Sequence, residues 1–436
     1  MPRRRRGTAL AAVWFGACLC AGCPGAELDG HRCTTSDQCG ADGRCENVGV
    51  CSFPASACAS GWGYAAEAAG ELAGTCVPTC DLAGGDAACP SGVCIDGACA
   101  SEREVRYVAT TGSDGAVCSA ADPCRTVARA LAARSGRAIV ALAPGSYPGS
   151  VEINPTDQPD PPFAVWLVGQ VGANGERPTI LATDTAVNRD AIELTRGAAT
   201  IRHLELHGAA QQGSDGVRAN PSTSATIDDS VIVGGRGLDA DAVDCTSCDL
   251  DIRRSELRGS QSLGLYVETG RQIVLIGNTI AGNGDGGFDV TAATCTIGSN
   301  AIVDNGGATS AVGGGRLSCT THQFEHNTLA RNTAMDPTRA QYRCESGAAM
   351  NVSNLFDGPA AGVTGCDHAY SLVTSGTLAG MNNQTAAAGF VSATDVHLRA
   401  DSPARGAASP TTTIAIDLDG EPRTQGAPDI GADEIP

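Results

Sequence analysis

Three pairs of adjacent ionisable side chains, Arg202-His203, Asp228-Asp229 and Arg253-Arg254, follow one another at separations of 26 and 25 residues, with Glu205 and Glu256 nearby. Two close carboxylates are the equipment of an inverting glycosidase, which needs one protonated acid and one ionised base with room for water between them. Arginines beside them suit an anionic sugar. Arg253 or Arg254 could formally take the proton next to a carboxylate, as a lyase requires, but an arginine base must give up a proton it holds very tightly. Lysine is absent, since all 29 basic residues are arginine. That removes lysine bases, Schiff bases and the phosphate-loop lysine. The 48 acidic residues leave a net charge of −19, a surface that repels nucleic acid and anionic headgroups. Neither nucleic acid nor nucleotide is expected as a partner.

These pairs are positioned by a repeat. Segments of the form apolar-x-x-(Ser/Asn)-x-apolar recur around residues 204, 230, 255, 278, 300, 327 and 354, at spacings of 22 to 27 residues. That period suits one coil of a solenoid of short strands. An alternating triplet precedes each copy: Ile192-Glu193-Leu194, Val217-Arg218-Ala219, Val243-Asp244-Cys245, Leu265-Tyr266-Val267, Phe288-Asp289-Val290, Leu317-Ser318-Cys319 and Tyr342-Arg343-Cys344. Alternation points the outer two residues inward and the middle one to solvent. Glycines such as Gly216 and Gly286 are expected at corners needing φ above zero. The fold class predicted is all-β, a parallel β-helix, right-handed because parallel crossovers take that hand. On such a stack Arg202, Asp228 and Arg253 form one outward column and His203, Asp229 and Arg254 another. Alternating charge on neighbouring rungs is also what a solvated sheet face adopts.

Of 21 cysteines, ten lie between Cys33 and Cys99 among Gly, Ser, Asp and Ala, too few apolar residues for a core. Disulfides are expected to hold that segment, with Cys58 and Cys76 closing a loop between two small knots. Zinc would need histidines or paired Cys-x2-Cys that the segment lacks. Cys118 and Cys124 frame a short loop. Cys319 and Cys344 are read as stacked on consecutive coils, Cα atoms about 5 Å apart and within disulfide reach. Cys245 is expected to pair locally with Cys248, while Cys295 and Cys366 stay unplaced.

The first residues are an address. Arg3 to Arg6 are followed by a mostly apolar stretch, Thr8 to Leu19, and by Cys20-Ala21-Gly22-Cys23, the plan of an export signal. This ending resembles the lipobox of bacterial lipoproteins, in which the cysteine, here Cys23, is acylated; Cys20 stands where that family usually has an aliphatic residue. The resemblance implies a lipid-anchored protein of the bacterial cell envelope, at the outer membrane or cell surface, whose partner is a membrane through that anchor. The run Tyr107-Val108-Ala109, Gly112-Ser113-Asp114, Pro123-Cys124-Arg125-Thr126 and Ala143-Pro144-Gly145-Ser146-Tyr147 resembles the N-terminal cap and first coil of bacterial right-handed parallel β-helix proteins, the DUF1565 group and pectate-lyase-like relatives. The tail, with Ser402-Pro403-Ala404, Asp417-x-Asp419-Gly420 and Asp429-Ile430-Gly431, resembles the closing segment after such domains. A calcium loop of hand type would need further donors at other spacings, so the tail is read as a cap, with calcium as the alternative. No other cofactor is implied.

The expected organisation is a signal over 1–22, an anchor linker over 23–32, a cysteine-rich module over 33–100, the β-helix with a short capping helix over 104–389, and the closing segment over 390–436. Asp228-Asp229 resembles the aspartate pair of β-helix polygalacturonases, but the other signature elements of that family are missing. Two functions remain open. One is an envelope scaffold displaying or binding polysaccharide or another envelope protein. The other is an extracellular polysaccharide lyase or glycoside hydrolase, working on acidic polysaccharide through Arg202, Asp228, Asp229, Arg253 and Arg254. The scaffold is the preferred reading, since only fold analogy carries the enzyme.

Overall fold

A computed structural model describes residues 32–435 apart from 34–35, 41–42, 47–49, 59–61, 67, 69–71, 78–79, 81–84, 87–88, 90, 96, 101, 134–137, 155–163, 184–188 and 424–426. Cys23 and the export signal lie outside the described residues. The chain divides between Thr79 and Cys80 into two compact units.

In the first unit, Arg44–Cys45, Cys51–Pro54 and Trp62–Tyr64 form a small antiparallel sheet. Cys39–Cys51 and Cys58–Cys76 are disulfide-bonded there, beside a small apolar cluster of Val50, Tyr64, Ala68 and Val77.

The second unit is a parallel β-solenoid with three faces. One coil runs Val217–Ala219, Ser224–Asp228, Val231–Val233, and each strand pairs in parallel with its equivalents one coil before and after. From Leu263 onward the first and second faces run together as single bent strands, Leu263–Ile276, Gly286–Gly298, Gly315–Glu325 and Tyr342–Val352. The third face is an eleven-stranded sheet from Ser146–Pro148 to Gln384–Thr385. Apolar side chains such as Leu194, Ile201, Leu206, Ile227 and Ile252 fill the interior. Phe288, Phe324, Tyr342 and Phe356 make an aromatic file within it, with Phe324 and Tyr342 stacked at 4.2 Å. At the N-terminal end the helix Val127–Ala132 buries Val127, Ala130 and Leu131, its first turn held by the Thr126 hydroxyl on the Arg129 N–H and by the nearby Cys118–Cys124 bond.

The corner between the second and third faces is the most regular feature. Its outer residue takes φ near +50° in His203, Asp229, Arg254, Ser299, His326 and Ser353, a conformation that costs a non-glycine residue energy and persists only when the surroundings enforce it. The next residue points inward and serves the neighbouring coil. Asn300, Asn327 and Asn354 each accept the backbone N–H of the corresponding residue one coil earlier, and Asn278, Asn300 and Asn327 each donate to the next amide oxygen in the file. Asn283, Asn305 and Asn332 form a second such ladder. Gly216, expected to supply a positive φ, is needed for closeness instead, because a Cβ there would lie 2.3 Å from Ile232.

Two expectations need correction. The triplet Leu317-Ser318-Cys319 is not level with Phe288-Asp289-Val290; Gly315-Arg316-Leu317 is. The Phe288 ring occupies the space a side chain at 315 would need, 2.1 Å from an added Cβ, so the aromatic pattern slips by two residues. Leu317 is therefore level with Cys344, and Cys319 bonds to Cys295 while Cys344 bonds to Cys366. The cysteine-rich segment is not one module, since Cys80–Cys94 and Cys89–Cys99 belong to the second unit, where Val93, Ile95 and Ala100 cover the outer surface of the second face at Ile139, Ala141 and Val168. The tail runs along the side of the stack. Ser299 Oγ donates to Ile416 O, the Gly431 N–H to Ser353 O and the Ala432 N–H to Thr328 Oγ1, while Val396 and Leu398 pack on outward residues of the third face, among them Val303, Ala330, Leu355 and Leu372.

Replacing Asn300 with Ala strips partners from two buried backbone groups and two amides; the expected loss is about 2–4 kcal/mol, read from the shift in urea unfolding midpoint, and a loss below about 0.5 kcal/mol would contradict the ladder's role. Non-reducing peptide mapping should recover Cys295 joined to Cys319 and Cys344 to Cys366.

Candidate functional site

The register sets Arg202, Asp228 and Arg253 on consecutive rungs of the second face, and the corner that follows brings His203, Asp229 and Arg254 into line. Each is engaged by a charge from the same unit. Arg202 donates to Asp86 Oδ1 at 3.0 Å and to the Cys94 carbonyl, both on the disulfide-bonded segment covering the second face. His203 lies between two carboxylates, Nδ1 2.8 Å from Asp229 Oδ2 and Nε2 3.2 Å from Asp86 Oδ2. Arg177 reaches Asp229 Oδ1 at 2.6 Å and also its carbonyl. Arg254 pairs with Asp228. Arg253 turns outward to Asp251 at 2.7 Å.

The two neighbouring aspartates respond in opposite directions. Burial pushes the Asp228 carboxyl up, with the Arg254 charge opposing. Burial also works on Asp229, but hydrogen bonds from His203 and Arg177 outweigh it together and hold that carboxyl low. The hydrogen bonds to Asp229 and Asp86 carry His203 up to about 9, so it is cationic at neutral pH and no base. Beside this network, a cleft of about 510 Å³ opens along the corner, lined by Arg177, Asp229, Arg254 and Glu256 on the stack and by His397 and Asp419 from the tail. His397, Asp419 and Asp433 bring ligand atoms within 4.8 Å of one another, a nitrogen-containing donor set better suited to a transition-metal dication than to calcium. Asp417, the first aspartate of the tail loop, accepts the backbone N–H groups of Asp419, Glu421 and Glu434.

Several functional groups escaped the sequence reading. Arg177, Asp86 and His397 lie outside the repeat, so no period announces them. Asp190, Asp215 and Asp241 do follow the period, two residues before each first-face strand, and could have been found from it. Asp190, Asp215 and Asp241 accept the backbone N–H of Asp215, Asp241 and Leu263, and Arg218 binds Asp190 and Asp215. Burial raises all three, Asp190 to about 6 and Asp241 to about 7. The other sequence candidates are bonded pairs, Cys118–Cys124 and Cys245–Cys248.

The folded pKa of His203 lies above its unfolded value near 6.5, so its stabilising effect is fully present below about pH 6.5 and is lost as pH rises through about 9. The buried aspartates act in the same sense at lower pH, because the folded state holds their protons more tightly through about 6 and 7. The unfolding midpoint of the native chain should therefore exceed that of His203→Gln most below about pH 6.5, and the difference should shrink as pH rises through about 9.

A family described as a right handed beta helix region matches residues 190–354. Comparison with curated proteins found no match. Among solved structures, pectate lyase Pel9A superposes with a TM-score of 0.52 at 16% identity over 77% of this chain and 97% of its own. The pectin methylesterase from Aspergillus niger in deglycosylated form gives 0.36 at 14%, over 72% and 94%. The A-module of the Azotobacter vinelandii mannuronan C-5 epimerase AlgE4 gives 0.28 at 14%, over 60% and 90%. The solenoid is thus a right-handed parallel β-helix of the pectate lyase-like fold.

Proposed function

We propose that this chain is an exported protein of the bacterial cell envelope, tethered through a lipid on Cys23, whose β-helix serves as a rigid display and binding scaffold. One observation carries this reading. The side chains that chemistry would have to use, Arg202, Asp228, Asp229, Arg253 and Arg254, are each engaged by an opposite charge of the same chain, and the groups that engage Arg202 and His203 fasten an outer segment to the stack. A network of this kind fixes parts to one another. Eight disulfides among the described residues fit an oxidising compartment. No described helix is long and apolar enough to cross a membrane, and the short apolar stretch before Cys23 fits a cleaved signal with a lipid in its place.

A second reading, an extracellular enzyme on acidic polysaccharide, draws on the opposed shifts of Asp228 and Asp229 beside the cleft. Asp228 would hold the proton and Asp229 the negative charge, the division of labour between acid and base.

Incubation of the purified chain with uronate-containing polysaccharides separates the two. The scaffold reading expects neither unsaturated product nor new reducing ends; turnover abolished by Asp229→Ala or Arg253→Ala would establish the enzyme. The mass of the N-terminal peptide should show an acylated Cys23, and an unmodified N-terminus would remove the anchor.

A further inference from the structure

Three separate stretches of the tail each send one side chain to the same spot. His397, Asp419 and Asp433 hold ligand atoms within 4.8 Å of one another. The first two line the cleft and are partly exposed, at 39% and 53% of the side chain. Asp433 is only 8% exposed. Its Oδ2 accepts the Leu398 N–H, while Oδ1 accepts no hydrogen bond among the described residues. The imidazole is held from behind: Asp395 Oδ1 accepts both the ring Nδ1–H and the backbone N–H of His397, which leaves Nε2 facing Asp419 Oδ2 at 3.0 Å. A carboxylate on the far nitrogen is what fixes the ring of a metal-binding histidine. The guanidiniums of the cleft and of this part of the tail are committed elsewhere, Arg177 to Asp229, Arg254 to Asp228, Arg399 to Asp401 and Arg423 to Glu434.

We propose that His397 Nε2 and one oxygen each of Asp419 and Asp433 bind a divalent transition-metal ion of the zinc kind. The two carboxylates neutralise the dication, and the imidazole nitrogen selects for such an ion over calcium or magnesium. Binding replaces the bond between Nε2 and Asp419 and releases the Nε2 proton to solvent. Three protein donors leave room for water from the cleft to complete the coordination. An ion held in this way ties together three stretches of tail that are distant in sequence. The site stands whether the stack is a scaffold or an enzyme.

The test is calorimetric titration of the purified full chain, stripped with EDTA and with its disulfides intact, against zinc, calcium and magnesium chlorides at neutral pH. One zinc ion per chain is expected, bound more tightly than calcium or magnesium and raising the thermal unfolding midpoint. His397→Gln and Asp419→Asn, both at partly exposed positions, should each weaken zinc binding by about tenfold or more and remove most of that rise. Asp395→Asn, which acts only by positioning the ring, should cost about tenfold. His207→Gln, at another partly exposed histidine beside a carboxylate, should bind zinc as the native chain does, with circular dichroism establishing that each variant is folded. Absence of zinc binding, calcium bound as tightly as zinc, or zinc binding that survives both His397→Gln and Asp419→Asn would each overturn the site, as would its loss in His207→Gln.

Discussion

The structure depends on how its sharpest corner keeps backbone groups satisfied. Strands of three to five residues must turn before a sheet ladder can serve every N–H, and the turn between the second and third faces leaves one such group pointing into a core without water. Buried donors of that kind are costly unless paired. The inward amide of the next coil supplies the acceptor and in turn needs its own neighbour, so the arrangement propagates from Asn278 to Asn354. Because that file fixes the register, the residue before each amide falls in a straight external column. Serine hydroxyls carry the same file through Ser255 and Ser230 to the Leu204 N–H, and the residues before them, His203, Asp229 and Arg254, line up in that column.

How much could be read in advance follows from the range of each interaction. The repeat was legible because it is written within single coils: an apolar residue, three positions, a serine or asparagine, and another pair of positions. The columns Arg202, Asp228, Arg253 and His203, Asp229, Arg254 follow directly from that spacing. Where aromatic residues stack, local pattern misleads, since Gly315 carries no apolar signal yet holds the place that Phe288 and Tyr342 hold in the neighbouring coils. Moving that coil by two residues changes which cysteines can meet. Partners far away in sequence were beyond reach altogether. Asp86 lies 116 residues before Arg202, and apolar runs such as Ala138–Leu142, buried at all five positions, only hint that something covers the outside of the second face.

The candidate site shows why residue type alone is a poor guide to chemistry. Adjacent aspartates and arginines suggested acid, base and anion-binding groups. In the fold they become a lattice of ion pairs joining the stack to Asp86 on one side, with the Arg177 guanidinium on the other. They fix where the covering segment sits.

The tail that runs along the stack changes how this solenoid can assemble. Coils of a repeat protein ordinarily touch only their neighbours, so folding can advance from one coil to the next as the chain is made. Here the outward residues Val303, Ala330, Leu355 and Leu372 are apolar and are covered by segments between 388 and 430. Until those residues emerge, the coils already made present a greasy stripe to their surroundings. The interval before those residues are made is thus one of aggregation hazard, and it ends by tying distant coils into one cooperative block that a string of independent repeats would not possess.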